Sequence, residues 1–166
     1  WAAIFVKEDM KILGGIHTLP YILFTLAMII GRLNLHNLLP RYSMDFLVVR
    51  ASLLSGLSFI AGIVAVGLVG PSNKTLVLVI LSIAFIISGL GSSFLGPSVM
   101  VAANARSRFP ASVVIGQIGV INIALVFVMR WIIAWTAQAT SLSVALLIPA
   151  LMLLAVPYFS KIFKNV

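Results

Sequence analysis

The chain is a succession of long apolar runs, each closed by a short cluster of polar or helix-breaking residues. The opening Trp1-Ala-Ala-Ile-Phe-Val6 is apolar and is stopped by Lys7-Glu8-Asp9, which reads as the tail of a helix that starts upstream. Five complete runs follow, from about Gly14 to Leu33, Phe46 to Gly70, Thr75 to Ala103, Ser112 to Trp135 and Leu142 to Ser160. A helix needs about 20 apolar residues to cross the hydrocarbon of a bilayer, and each run is close to or beyond that length. The runs are continuous and lack the period-two alternation of barrel strands, so helices are the spanning element. Pro20 marks an expected kink in the first span. The third run would be about 43 Å long as a helix, so it must tilt, bend at Pro97 or extend beyond the hydrocarbon. The polar breaks fall in three places. Arg32, His36, Asn37, Pro40, Arg41 and Asp45 follow the first span, Pro71-Ser-Asn-Lys74 the second, and Arg106-Ser-Arg108-Phe-Pro110 the third. Lys161 and Lys164 close the chain.

Composition sharpens this pattern into a class. Of 166 residues, 62% are hydrophobic and 8% are charged, against about 25% charged in soluble domains. Mean hydropathy is +1.22. A soluble globular domain and a disordered chain are both excluded. The reading is an all-α, polytopic membrane helix bundle forming a single domain over residues 1–166, with five complete spans and the end of a sixth. The first residue is Trp1 rather than Met, so the sequence reads as beginning inside a longer product or after processing, and Trp1 to Val6 is too short for the core of a signal peptide.

Eleven Lys and Arg against three Asp and Glu give a net charge of +8. In a chain this apolar the excess is topological, because basic residues accumulate in cytoplasmic loops, and it does not point to nucleic acid. Arg32, Arg41, Arg50, Arg106, Arg108, Lys161 and Lys164 sort to one side of the membrane; Lys7, Lys11 and Lys74 sort to the other. The first set marks the cytoplasm, which leaves the N-terminus of the segment outside and the C-terminus inside.

Polar residues within spans face a bundle interior or a water-filled cavity, so their distribution ranks the spans. The fifth carries little beyond Ser143. The second has Ser52, Ser55 and Ser58 with Gly56 and Gly62, at the small-xxx-small spacing that lets helices approach closely. In the third, Ser88, Ser92 and Gly96 recur at steps of four beside Gly89, Gly91, Ser93 and Pro97, leaving one face nearly free of side chains. That face either packs or forms a flexible wall of a path. The fourth is the most polar, with Gln117, Asn122 and Arg130. Asn122 and Arg130 lie about 80° apart around a helix of 3.6 residues per turn and stand at the flanks of one cavity. Arg130 reads either as an anchor that snorkels to the outer interface beside Trp131 and Trp135, or as a ligand for an anionic group. His17, near the outer end of the first span with Thr18, Pro20 and Tyr21, reads as a capped interfacial residue or as a proton-sensing, substrate-contacting one.

Several chemistries have no residues to support them. Glu8, Asp9 and Asp45 all lie outside the spans, His17 and His36 fall at opposite ends of one span, and the chain has no cysteine. Disulfides, iron–sulfur clusters, a metal site, a paired-carboxylate site and a Ser/His hydrolase are therefore not expected, nor is a cofactor. The chain is not expected to be an enzyme.

These residues resemble the C-terminal half of a major facilitator superfamily transporter. Trp1-Ala-Ala-Ile-Phe-Val6 looks like the end of that family's helix 7. Met28-Ile-Ile-Gly31-Arg32-Leu33 looks like the Gly-Arg that ends helix 8 and begins the following loop. Gly89-Leu-Gly91 and Pro97 look like the motif of helix 10, and Ala139-Thr140-Ser141-Leu142 looks like the start of helix 12. The motifs are degenerate: His36-Asn37 and Ser43 depart from the loop pattern, and Met129-Arg130-Trp131 replaces a small or Pro-rich stretch of helix 11. The resemblance implies a C-terminal six-helix bundle in a bacterial cytoplasmic membrane. It implies that the first, third and fourth complete spans line a central cavity and that the fifth lies at the periphery. It implies a secondary transporter that moves a small solute by alternating access, with an N-terminal half, in the same or a separate chain, and the lipid bilayer as partners. On this reading His17, Tyr21, Thr25, Ser88, Ser92, Gln117, Asn122 and Arg130 contact the solute, and Gly31, Arg32 and Arg41 form the inner hinge and gate. The alternative is a structural subunit of a larger membrane complex that no longer transports.

Overall fold

A computed structural model describes residues 1–12, 14–70 and 73–163, all of them in helices, turns or short irregular links. In chain order the helices are α1 (Ala2–Glu8), α2 (Leu19–Leu38), α3 (Met44–Val69), α4 (Lys74–Ser92), α5 (Leu95–Arg106), α6 (Ala111–Ala139) and α7 (Leu142–Ala155). A 3₁₀ turn, Gly15–Thr18, leads into α2, and another, Val156–Phe163, continues α7. Five helical stretches are long and apolar enough to cross a membrane: Gly15–Leu38, Met44–Val69, Lys74–Arg106, Ala111–Ala139 and Leu142–Ser160. The chain is a polytopic helical bundle.

The helix ends differ from the apolar runs for a physical reason. Polar side chains end a span, but they do not end a helix while the backbone ladder can continue. So α2 runs on through Arg32, Asn34 and His36 to Leu38, where the sequence suggested a polar loop. Asn34 donates to the Ile30 carbonyl at 2.8 Å and stays on the helix surface. Likewise α6 continues beyond Trp135 to Ala139. Dedicated caps start two helices: Asn73 accepts from the Leu76 amide at 3.1 Å, and Ser141 from the Val144 amide at 3.3 Å. Pro71, Ser72 and Lys164, three of the expected terminators, lie outside the described residues, as does the side chain of Lys161.

The two prolines singled out in the sequence act differently from expectation. Pro20 is in the first turn of α2, where its missing N–H has no intrahelical partner to lose, so it starts the helix and does not kink it. The third span is interrupted at Ser93–Phe94, one turn before Pro97. A proline ring excludes the carbonyl four residues earlier; that residue is Ser93. The bend expected at Pro97 is therefore displaced to the place where the ladder fails.

Packing centres on α4. Both α2 and α3 lie along it, α7 packs on α3, and α6 meets chiefly α7 and α5. One apolar core joins Phe5 and Val6 of α1 to Ile63 and Val66 of α3, Leu81 and Phe85 of α4, and Leu146 of α7. A smaller one joins Met44, Val48 and Ala102 at the opposite end. Without a hydrophobic drive between helices in lipid, close approach depends on small residues. Gly91 faces the Ala51 carbonyl and Ser55 of α3, and Gly89 faces the Phe24 carbonyl of α2, so α4 is gripped on two sides. The arrangement differs from the expected ranking of spans. The fifth span contributes Leu142, Ala145, Leu146 and Ala150 to the interior, whereas α6 buries only Val114 and Ile133.

Candidate functional site

The small-residue face of α4 supplies the first group of candidates. Ser88 is buried against α3, where Ser55 donates to its carbonyl at 2.8 Å and the two hydroxyl oxygens lie 3.0 Å apart. The Ser55 proton is spent on the carbonyl, so the Ser88 hydroxyl donates to the Ser55 oxygen, and both groups are satisfied inside the bundle. Ser92 donates within its own helix to the Gly89 carbonyl at 3.2 Å. Gly96, the third member of the stripe, has no neighbour on its Cβ side.

Beside this face is a cavity of about 270 Å³. Trp1, Tyr21, Phe24, Phe59 and Phe85 supply its aromatic wall, Ser88 and Ser92 its edge, and Pro149, Ala150 and Leu153 its far side. Phe85 organises the wall, meeting Phe24 edge-on at 6.1 Å and Phe59 at 5.1 Å between ring centroids. No charged residue lines it. The structure thus brings together Tyr21, Ser88 and Ser92 of the sequence candidates, in apolar surroundings. The phenylalanines were not singled out in the sequence. Their convergence depends on how three helices are rotated, and no local motif carries that.

His17 and Thr25 make local bonds. His17 Nδ1 meets the Gly14 carbonyl within the 3₁₀ turn, and Thr25 donates to the Tyr21 carbonyl at 3.0 Å. Neither residue lines the aromatic cavity. The three gating candidates sit in different surroundings. Gly31 is buried, and a side chain there would overlap Ser93, just after α4, so it is a close-packing point. Arg32 is exposed on α2, and Arg41 is exposed in the turn after it.

The polar residues of α6 form the second group. Asn122 and Arg130 share one groove of about 300 Å³ with Ile123, Val126 and Phe127 between them. Gln117 belongs to a different groove, with Val113, Gly116, Val120 and Ile121. Five residues separate Gln117 from Asn122, which is about 140° of rotation around the helix, so the three polar residues cannot share a face. All three are exposed. Among the described residues, no hydrogen bond or ion pair reaches Arg130.

The length of α6 changes the setting of Arg130. The helix ends at Ala139 rather than near Trp135, so Arg130 lies about 13 Å from its C-terminal end at 1.5 Å per residue. An arginine at the centre of a span costs about 2.5–3.5 kcal/mol on insertion scales, and one nearer the end can reach the interface by snorkelling. The ion pair of Lys7 with Glu8, 3.7 Å apart, is an exposed surface contact, and Asp9 accepts from Ser143 at 3.2 Å. Neither acid is ion-paired with Arg130. Among the described residues, no group of three or more His, Asp or Glu is placed to hold a metal.

Comparison with known proteins follows the same direction. No family model matches the chain, and no solved structure matches it. It is similar to an uncharacterized MFS-type transporter of Yersinia pestis, 29% identical over 159 residues, which is 94% of this chain and 38% of that protein. The chain therefore spans about two-fifths of the length of this relative. The likeness supports the major facilitator resemblance seen in the motifs. Together with the five apolar helices, it puts the chain in a membrane.

Proposed function

We propose that this chain forms the C-terminal bundle of a secondary transporter that moves a small solute by alternating access. An N-terminal bundle, in the same or a separate chain, would cover the exposed face of α6. The solute would sit between the two halves near mid-membrane, and rocking of one half against the other would expose it to each side in turn. The observation that carries this reading is the exposure of Asn122 and Arg130 on α6, whereas Ser55 and Ser88 of the α3–α4 contact are buried and bonded to each other. A polar strip of that kind is stable in a bilayer only against a cavity or a partner. The charge sorting supports an outer N-terminus and a cytoplasmic C-terminus in a bacterial cytoplasmic membrane.

The structural-subunit reading has one observation in its favour. Ser88 and Gly31, both expected to work in transport, are engaged in fixed helix contacts. One experiment separates the two. Solute profiles of cells with and without the full-length protein identify a solute whose level differs, and its flux is measured in proteoliposomes. Transport predicts a flux that Asn122→Leu lowers while the protein still inserts. No differing solute, together with stoichiometric copurification of other membrane proteins, would favour the subunit.

A further inference from the structure

The transported solute has a chemical class that the α6 groove constrains. We infer that Asn122 and Arg130 form an anion-binding site and that the solute carries a carboxylate or phosphate group. This rests on the transporter reading above and deepens it. Four observations converge. Among the described residues, Arg130 is the arginine farthest inside its span, nine residues from the end of Ala111–Ala139, against six for Arg32 in Gly15–Leu38 and six for Arg50 in Met44–Val69. The acids Glu8, Asp9 and Asp45 are all at span ends, so the chain offers Arg130 no counter-charge at its depth. The guanidinium and the Asn122 carboxamide border the same open groove on the exposed face of α6. The lining between them, Val126 and Phe127 included, is apolar.

The geometry suits an anion in particular. A guanidinium presents a planar fork of donors that pairs two oxygens of a carboxylate or phosphate at once. The carboxamide two turns away supplies both a donor and an acceptor for the uncharged end of the same molecule. In a low-dielectric setting the pairing is strong, and an uncharged or cationic solute would leave the guanidinium uncompensated. A carboxylate fixed on the partner bundle would satisfy the charge equally well, but would make the pair a permanent interface. The two occupants differ in whether water and small anions reach Arg130.

Chemical modification decides between them. Vesicles of native membrane containing the full-length protein are treated with phenylglyoxal, and modification at Arg130 is mapped by peptide mass. The probes are inorganic phosphate and benzoate, with benzamide and benzylammonium as uncharged and cationic shape controls. The expected result is that Arg130 reacts and that at least one of the two anions slows the reaction about tenfold at saturating concentration, whereas the controls do not. An unreactive Arg130 would overturn the proposal in favour of a fixed counter-charge or burial in lipid. A reactive Arg130 that neither anion protects, or that benzamide protects equally, would also overturn it. Measured flux of a solute without anion protection removes the anion class and leaves the transporter reading intact; anion protection without flux does the reverse.

Discussion

Ser55 of α3 and Ser88 of α4 close a two-bond ring across the most extensive helix contact in the bundle. The Ser55 hydroxyl reaches the Ser88 carbonyl at 2.8 Å and the Ser88 hydroxyl oxygen at 3.0 Å. Both residues are fully buried. The pair fixes the register of α3 against α4, because sliding either helix by one residue separates the groups. Such interhelical bonds in membranes contribute about 0.6–1.7 kcal/mol. Ser55→Ala removes both bonds and should lower the melting temperature of the full-length protein in detergent. Ser88→Ala keeps the carbonyl bond and should cost less. Equal cost would show that the carbonyl bond is not formed.

The approach of α4 to its neighbours predicts a contrast between glycines on the same span. A methyl at Gly91 would meet the Ala51 carbonyl, whereas Gly96 has open space. Gly91→Ala should destabilise by about 1–3 kcal/mol, the usual range for overpacking, and Gly96→Ala should stay within about 0.5 kcal/mol of the parent protein. Thermal melts of the two variants in the same detergent read the difference. Equal stability would contradict the close α3–α4 contact.

Orientation has its own test. The chain contains no cysteine, so single cysteines introduced in it report position without background from this segment. Lys11→Cys should react with a membrane-impermeant maleimide on intact cells, and Arg41→Cys only after permeabilisation. The opposite pattern would invert the topology read from charge.

The five spans were legible in the sequence because continuous apolar length alone specifies them. Their helix ends were not, since Arg32, Asn34 and His36 remain compatible with helix after they cease to be compatible with lipid. The site was legible in part. The rotation separating Gln117 from Asn122 is a matter of residue count and was available from spacing alone. The pairing of Asn122 with Arg130 followed from the same arithmetic. By contrast, Ser55 and Ser88 are 33 positions apart, and their meeting depends on the register between two helices. The α3 serine–glycine pairs pointed to close packing without saying that Ser55 would be the residue to bond. The aromatic wall around Phe85 was invisible for the same reason.

The central claim is that the Asn122–Arg130 strip of α6 faces water in the assembled protein. Cysteine accessibility along α6 tests it most directly. Asn122→Cys and Val126→Cys are compared with Ala124→Cys and Val128→Cys, which point about 160° away from position 126, all in full-length protein in native membranes. The account predicts rapid labelling of positions 122 and 126 by a water-soluble maleimide and little labelling of 124 and 128. Equal labelling of the two sets, or none at 122 and 126, would contradict it.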